Sequence, residues 1–479
     1  MTDGALIERA VYSGGAWLPG AVVGVSHDVL GERIFEAGLA DEPQAAAACD
    51  AARLAQRAWS EVEAWQRAAR VNALDDALER HRETLVWWLC REAGATRAKA
   101  DREVDAARAE VRFAAGCASE LGVEQARTGP RDEEVALHPV GVVAVITPFN
   151  APLVLAMRCI APALVAGNAV VLKPDPRTPV SGGLLLPAVL EDAAIPGALL
   201  AVVPGGAEVG RVLCEHPAVG SVLFTGSTPV GRSVGRLTGE HLKKCGLELG
   251  GKNPFIVLAD ADVEHAARCA VTSSFLHSGQ ICMSAGRYLV DERVVEDFTT
   301  AFVDGASRLT VGDTAREDVD LGPLIDDAAV ERVAAIAEDS VANGARQVLG
   351  PVVRSRFMSP VILADVDSSM PVWAEEVFGP VAGVRAVSGI DEVVQLEDSS
   401  PFGLVASVHT RSDDAVSTLS ARLGCGTVRV NDVTNHDAPH TPMSGWRQSG
   451  NGTAFGSRHM LSLLTRPRLT TTRRPPYSG

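Results

Sequence analysis

The sequence lacks the paired cysteines that metal sites and disulfide frameworks require. Its 9 cysteines stand singly, and it contains no Cys-x-x-Cys motif and no Cys/His cluster. Single cysteines are typical of a reducing compartment and argue against a zinc site. We therefore expect no metal and a cytoplasmic location.

The sequence also lacks a long apolar run and an excess of positive charge. The most apolar stretch, residues 139–157, is interrupted by Pro139, Pro148, Asn150 and Pro152, which a simple membrane helix would not carry. The first residues do not place a basic region before an apolar core, so no signal peptide is predicted. The net charge of −16 argues against nucleic acid as a partner. We expect a soluble protein without membrane or nucleic-acid contacts.

The pattern of apolar residues predicts an α/β fold. With 479 residues the chain is too long for one small core. Residues 11–40 are typical of hairpins, and residues 43–116 of amphipathic helices. Short valine-rich runs then alternate with helical stretches, which indicates βαβ units in a parallel sheet. These runs lie at 140–147, 169–173, 199–204 and 221–225. A second alternation from Tyr288 to about Val430, with helices near 327–343 and 412–423, predicts a second α/β unit.

Residues 277–287, His-Ser-Gly-Gln-Ile-Cys-Met-Ser-Ala-Gly-Arg, contain the candidate nucleophile Cys282. Because Gly279 and Gly286 bracket it, we expect a tight turn that leaves the sulfur at the head of a helix, where the helix dipole favours the thiolate. A lone cysteine in an apolar stretch is more often a buried structural residue. The segment Leu-Glu-Leu-Gly-Gly-Lys-Asn-Pro at 247–254 favours the catalytic interpretation.

The combination of Glu-Leu-Gly-Gly with Gly-Gln-x-Cys resembles the aldehyde dehydrogenase superfamily, and the resemblance extends over nearly the whole chain. It implies two Rossmann-type α/β domains with parallel-rich sheets and a small β oligomerisation arm. Residues 1–121 and 141–249 would form the NAD(P)-binding domain and residues 250–447 the catalytic domain. Residues 122–140 and 448–479 would form the arm and tail, with the exposed strand expected at 465–474 paired to the crossing near 122–139. A homodimer or homotetramer is implied.

The resemblance assigns three catalytic roles. The Cys282 thiolate would add to the aldehyde, and collapse of the hemithioacetal would release hydride and leave a thioester. Asn150 matches the asparagine that stabilises the oxyanion, although asparagine is also a preferred helix cap. Glu248 matches the base that activates water for hydrolysis, the alternative being an exposed glutamate at a strand end.

The usual dinucleotide motif, Gly-x-Gly-x-x-Gly after a strand, is absent from the sequence. The cofactor residues are therefore assigned from the resemblance. They are Thr147, Phe149, Lys173, Gly226, Ser227, Thr228, Val230, Gly231, Leu249, Glu376 and Phe378. Lys173 would hold the adenosine ribose, while Glu376 and Phe378 would contact the nicotinamide ribose. Many NAD-specific relatives carry an acid where this chain has Pro176, followed by Arg177. NAD is the expected cofactor, and tolerance of NADP stays open.

Within the superfamily the sequence is most similar to bacterial dehydrogenases of benzaldehyde, vanillin and salicylaldehyde. The stretches that carry this similarity include Ile-Thr-Pro-Phe-Asn-Ala-Pro-Leu at 146–153 and Gly-Gln-Ile-Cys-Met at 279–283. The implied substrate is a small aromatic aldehyde. The candidate pocket residues are Val154, Met157, Arg158, Ile281, Met283 and Trp446. Arg158 would either anchor a hydroxyl or carboxylate of the substrate or pair with a local acid.

One departure leaves the substrate open. Where relatives usually read Pro-Phe-Gly-Gly, this chain has Pro-Met-Ser-Gly-Trp-Arg-Gln at 442–448, in a loop that lines the substrate entrance in relatives. A semialdehyde or aliphatic aldehyde is therefore an alternative substrate. A catalytically silent paralogue that acts as a binding or assembly partner is an alternative of another class.

Overall fold

The computed structural model describes residues 7–28, 30–128, 131–316, 318–456 and 458–473. The strands up to Glu248 are β1 (Ala10–Ser13), β2 (Ala16–Pro19), β3 (Val22–His27), β4 (Arg33–Leu39), β5 (Val123–Thr128), β6 (Arg131–Pro139), β7 (Val142–Ile146), β8 (Ala169–Lys173), β9 (Leu200–Val202), β10 (Val219–Thr225) and β11 (Lys244–Glu248). The helices of this part are α1 (Glu42–Ser60), α2 (Ala64–Arg80), α3 (Arg82–Ala93), α4 (Arg97–Gly116), α5 (Pro152–Val165), α6 (Leu186–Asp192), α7 (Ala207–Glu215) and α8 (Thr228–Glu240).

A second set of elements follows Glu248. Its strands are β12 (Asn253–Val257), β13 (Ala285–Asp291), β14 (Arg346–Leu349), β15 (Val353–Arg354), β16 (Phe357–Met358), β17 (Val361–Ala364), β18 (Val381–Val387), β19 (Phe402–Gly403), β20 (Val405–His409), β21 (Thr427–Val430), β22 (Trp446–Arg447) and β23 (Thr465–Arg473). Its helices are α9 (Val263–Phe275), α10 (Val295–Ser307), α11 (Asp327–Ala342), α12 (Pro371–Ala374), α13 (Ile390–Asp398), α14 (Asp413–Arg422) and α15 (Leu461–Leu464).

The first seven-stranded sheet has the order β11-β10-β7-β8-β9-β1-β2. Its strands from β11 to β9 are parallel, and β1 joins in the antiparallel sense. Every residue of β7 and β8 is buried, as expected for parallel strands covered by helices on both faces. The register places Ile146 beside both Phe224 and Lys173, so the loops after these strands meet at one edge of the sheet.

The second seven-stranded sheet has the order β14-β17-β18-β13-β12-β20-β21. It is parallel except for β14, which pairs with β17 in the antiparallel sense. Aromatic rings fill one of its faces, with Tyr288 of β13 next to Phe298 and Phe302 of α10. The predicted boundary at 249/250 lies in the short connection between β11 and β12. The α/β class, the hairpins and the helices predicted within 43–116, near 327–343 and near 412–423 are confirmed.

A separate three-stranded sheet has the order β23-β6-β5. The strand β23 pairs with β6 in antiparallel register from Thr465 opposite Pro139 to Arg473 opposite Arg131. The predicted pairing of the C-terminal strand with the crossing is thereby confirmed up to Arg473, and residue 474 lies outside the described residues.

The hydrophobic core of the first sheet contains side chains from the end of the chain. Phe455, Met460, Leu461, Leu463 and Leu464 are buried in the same cluster as the strands β7 and β8. The first core is therefore built from two segments that are far apart in sequence.

Among the described residues, no helix combines the length and the hydropathy that a membrane crossing requires. The same residues contain no group of three or more His, Cys, Asp or Glu side chains arranged to hold a metal ion.

Candidate active site

Cys282 lies in a turn that leads directly into β13. The backbone N–H of Ser284 donates to the carbonyl of Ile281 at 2.9 Å, and the strand begins at Ala285. The expected position at the head of a helix is therefore wrong. The following residues, Ala-Gly-Arg-Tyr-Leu-Val-Asp, form a buried strand because both β12 and β18 pair with it.

The turn before Cys282 is left-handed over three successive residues. His277, Ser278 and Gly279 have φ values of 54°, 55° and 72°. Only glycine fits the third position, because a Cβ there would lie 2.3 Å from the carbonyl oxygen of Gly379. Backbone strain of this kind persists where the surrounding structure fixes it, and it is concentrated at functional sites.

The environment of Cys282 opposes ionisation of the thiol. Only Cys245 and Cys282 among the 9 cysteines are not fully buried. Burial, followed by the charges of Glu376, Glu248 and Asp437, raises the pKa of Cys282 to about 12. This is opposite to the expected effect of a helix dipole. The thiol is therefore protonated at neutral pH in this structure and needs a base when it reacts.

Asn150 is joined to the cysteine loop. Its side-chain Nδ2 donates to the carbonyl oxygen of Gln280 at 2.8 Å, two residues before Cys282, and the residue is buried. The helix-cap alternative does not hold, because α5 begins at Pro152 after Ala151 and has no side-chain cap. An amide nitrogen carries two N–H groups, so one of them remains for a substrate oxygen.

Glu248 is the last residue of β11 and is buried, so it is not an exposed strand-end glutamate. Neither carboxylate oxygen has a hydrogen bond of good geometry. The backbone N–H of Gly445 lies close enough to lower the pKa of the carboxyl group in part. Burial raises the pKa of Glu248 well above its ordinary value, and the charge of Arg158 only partly opposes this. A carboxylate with a raised pKa is a stronger base.

The turn between β10 and α8 fits a pyrophosphate. Ser227 precedes α8 without forming a side-chain cap, so the first N–H groups of the helix are open to an anion. A Cβ on Gly226 would lie 2.5 Å from the Phe224 ring, and one on Gly231 would lie 2.3 Å from the side chain of Leu249. Of the other predicted residues here, Val230 is exposed at the surface, and Thr228 donates its hydroxyl to a backbone carbonyl.

The remaining cofactor candidates include polar groups with few partners. Lys173 is buried, its Nζ lies 3.5 Å from the carbonyl of its neighbour Pro174, and burial lowers its pKa. The hydroxyl of Thr147 is buried without a hydrogen bond. Buried polar groups are normally satisfied, so these atoms indicate a ligand. The donor set at this edge of the first sheet therefore fits a dinucleotide.

Residues from the second α/β unit contact this edge of the first sheet. Glu376 accepts a hydrogen bond from the N–H of Gly251 at 3.1 Å, and burial raises its pKa to about 7. The rings of Phe149 and Phe378 meet edge to face with centroids 5.8 Å apart. Arg177 stacks over Phe149 at 4.3 Å.

Arg177 is held by two acids. Its guanidinium forms ion pairs with Asp175 and with Asp326, both at 2.9 Å. The cation that was considered for a 2′-phosphate is thus already paired in this structure.

The pocket candidates divide into two groups. Met157 is fully buried and Val154 partly buried on α5, while Ile281 and Met283 flank Cys282 with partial exposure. Trp446 is half exposed in β22, where it pairs with Gly403, and it follows Gly445, whose backbone contacts Glu248.

Arg158 was expected either to anchor the substrate or to pair with a local acid, and in the structure it pairs with acids. Its guanidinium contacts Glu110 at 2.7 Å and also forms an ion pair with Asp437. Asp437 and Glu110 were missed in the sequence, because nothing in their local spacing connects them to Arg158. Lys99 and Glu103, described below, were also missed, although their i,i+4 spacing on a helix could have indicated a pair.

The fold and the site together define a class of protein: an α/β enzyme with a nucleotide cleft between two sheets and a cysteine beside it. A model of the aldehyde dehydrogenase family matches residues 20–469, and the chain belongs to this family. It is accordingly an NAD(P)-dependent oxidoreductase that acts on aldehydes.

Individual relatives cover nearly the whole chain. The chain is 40% identical over 448 residues to a benzaldehyde dehydrogenase [NAD(+)] of Pseudomonas putida, which covers 93% of this chain and 92% of that protein. It is 40% identical to a vanillin dehydrogenase of Amycolatopsis sp. over 92% of each chain. The crystal structure of a salicylaldehyde dehydrogenase from Pseudomonas putida G7 complexed with salicylaldehyde superposes with a TM-score of 0.94 at 30% identity, over 99% of both chains.

Proposed function

We propose that the protein oxidises neutral aromatic aldehydes to carboxylic acids with NAD as the preferred acceptor. The observation that carries this proposal is the convergence of three groups: Asn150 is bonded to the cysteine loop, and the buried Glu248 is close enough to act on the Cys282 thiol. The similarity to enzymes named for benzaldehyde, vanillin and salicylaldehyde supports the substrate class. Turnover of benzaldehyde and its hydroxylated derivatives, against a panel of straight-chain aldehydes, tests it.

In the proposed first step the Cys282 sulfur adds to the aldehyde carbon. Glu248 is the buried base available to take the thiol proton, and its raised pKa suits it for that role. The developing oxyanion is met by the free N–H of Asn150, whose other N–H is fixed by Gln280. Such a donor contributes roughly 3 kcal/mol to transition-state stabilisation.

In the second step the hemithioacetal collapses to a thioester with loss of hydride. Lys173, Gly226 and Glu376 would hold NAD(P), which would supply the acceptor for that hydride. Glu248 passes the thiol proton to solvent and, deprotonated again, takes a proton from a water molecule that attacks the thioester carbon. The carbon–sulfur bond then breaks, the acid leaves, and Glu248 returns a proton to the Cys282 thiolate.

The charges around Cys282 favour neutral aldehydes over anionic semialdehydes. Glu376, Glu248 and Asp437 all act on the thiol with the same sign, and each raises its pKa. A substrate carboxylate beside Cys282 would be repelled by each of these groups that is ionised. Arg158, whose positive charge acts on Glu248, is already paired with two acids.

Asp437→Asn is expected to relax this preference. Removing one negative charge, and with it one of the two acids paired with Arg158, should raise kcat/KM for 4-carboxybenzaldehyde, relative to 4-methylbenzaldehyde, by about fivefold, which corresponds to roughly 1 kcal/mol of charge interaction. Steady-state kinetics on both aldehydes measure the ratio. The exposed Asp413→Asn serves as the matched control, and an unchanged ratio in Asp437→Asn would exclude Asp437 as a selectivity determinant.

Cofactor preference follows from the pairing of Arg177. Because Asp175 and Asp326 hold the guanidinium, we expect kcat/KM to be higher for NAD than for NADP at saturating benzaldehyde. Equal values for the two cofactors would contradict this expectation.

The proposal extends to the roles of the segments. Residues 1–121 and 141–249 would bind the cofactor, and residues 250–447 would supply Cys282. Residues 122–140 and 448–479 would mediate assembly into a dimer or tetramer, because strand edges and the exposed Leu469 of β23 offer a surface for a second copy. A cytoplasmic location agrees with 9 free cysteines.

A further inference from the structure

We propose that Lys99 and Glu103, a buried ion pair on α4, are positioning residues that hold Asn150 in place for the substrate oxygen. The inference rests on the proposed role of Asn150 as an oxyanion donor. Neither residue lies in the predicted cofactor or substrate set, and both act through the backbone of the segment that carries Asn150.

The pair fixes residues 150–154 at three points. The Nζ of Lys99 donates to the carbonyl oxygen of Asn150 at 2.6 Å and to Glu103 at 2.5 Å. The other oxygen of Glu103 accepts from the backbone N–H groups of Leu153 at 2.9 Å and Val154 at 3.3 Å. Lys99 is 8% exposed and Glu103 is 4% exposed, so water does not compete for these contacts.

Glu103 supplies the cap that α5 lacks. This helix begins without a side-chain cap of its own, and its first residue, Pro152, has no N–H. The first available donors are therefore those of Leu153 and Val154, which Glu103 accepts from α4. Its negative charge also lies at the positive end of the helix dipole. Lys99, one turn earlier on the same helix face, neutralises that charge and reaches Asn150.

The other side of Asn150 is held by the cysteine loop. Its Nδ2 donates to the carbonyl of Gln280, and the side chain of Gln280 accepts from the N–H of Ile325 at 2.9 Å. Asn150 is thus fixed at its carbonyl by a helix of the first sheet and at its amide by the loop of Cys282. Loss of Lys99 would leave the carbonyl of Asn150 without this donor and the charge of Glu103 unpaired, so the segment would shift.

The test is Lys99→Met, assayed with benzaldehyde and NAD. A misplacement of about 1 Å at a catalytic group lowers the rate by up to about 10²-fold, so we expect kcat to fall between about 10-fold and 100-fold. The primary isotope effect on kcat, measured with benzaldehyde deuterated at the formyl carbon, should rise, because hydride loss from the poorly stabilised oxyanion becomes rate-limiting. The Kd for NAD, from tryptophan fluorescence, should stay unchanged. Lys99→Arg should recover part of kcat.

The matched control is Lys243→Met. The Nζ of Lys243 also donates to a backbone carbonyl, that of His216 at 2.6 Å, but away from the cysteine loop. Its kcat and isotope effect should match those of the unaltered protein. If Lys99→Met does not fold, the double variant Lys99→Met/Glu103→Leu removes both charges, which proteins tolerate better than one unpaired buried charge, and it should show the same loss of kcat.

Two results separate the inference from its premise. A folded Lys99→Met, or the folded double variant, with kcat within twofold of the unaltered protein and an unchanged isotope effect would overturn the positioning role. Asn150→Ala, measured in parallel, should lose more activity than either. If Asn150→Ala kept full activity, the oxyanion role of Asn150 would be wrong, and the positioning inference would be overturned with it.

Discussion

Cys282→Ala is expected to lower kcat for aldehyde oxidation by at least about 10⁴-fold, as loss of a nucleophile does in other covalent mechanisms. The methyl group of alanine cannot form the hemithioacetal, so hydride has no tetrahedral centre to leave from. NAD binding should persist, because Lys173, Glu376 and the turn before α8 are untouched.

The measurement is NADH formation from benzaldehyde, with NAD binding followed separately. Cys245→Ala is the matched control, since Cys245 is the only other cysteine that is not fully buried. We expect it to retain the activity of the unaltered protein. Residual turnover of Cys282→Ala above about one hundredth of normal would assign the nucleophile to another residue.

Glu248→Gln is expected to slow steady-state turnover by about 10²-fold to 10⁴-fold, the contribution typical of a general base. Glutamine preserves the shape of the side chain but cannot take a proton from water. The Cys282 thiol is a much stronger acid than water, so loss of the base should slow hydrolysis of the thioester more than its formation. The thioester should therefore accumulate, and rapid mixing should show a burst approaching one NADH per subunit before the slow phase.

The rate of this hydrolysis step should depend on pH in a defined direction. Glu248 acts as a base only when deprotonated, and burial raises its pKa above that of an ordinary glutamate. The steady-state rate of the unaltered protein should therefore rise with pH through that raised value, and Glu248→Gln should lose this dependence. Glu240→Gln, an exposed glutamate on α8, should keep it. A variant at Glu248 with neither burst nor slow phase would instead place the loss at thiol activation, before the thioester.

The sequence predicted the elements that depend on local pattern. Valine-rich runs marked β7 to β10, and because parallel strands end at one edge, the order of these strands brings Thr147, Lys173 and Gly226 to that edge. The resemblance supplied the family. It also named Glu248 and Asn150, and their burial and contacts exclude the exposed-glutamate and helix-cap alternatives.

Other features depended on contacts that no local pattern reveals. The helix expected after Cys282 is a strand, because β12 and β18 pair with it from distant parts of the chain. Arg158 could not be assigned, because its partners Glu110 and Asp437 are 48 and 279 residues away. The raised pKa of the Cys282 thiol likewise comes from burial and then from Glu376, Glu248 and Asp437, which only folding brings together.

The shared core of the first sheet has a consequence for biosynthesis. Phe455, Leu461, Leu463 and Leu464 cover the core of the first sheet, whose strands all lie before residue 249. At roughly 5–20 residues per second, a ribosome needs on the order of 10–40 s to make the intervening chain. During that time the nascent first half exposes the apolar surface that this last segment covers. A product terminated before residue 455 would keep that surface exposed and become a target for chaperones and proteases, so the first core is complete only after translation has passed residue 464.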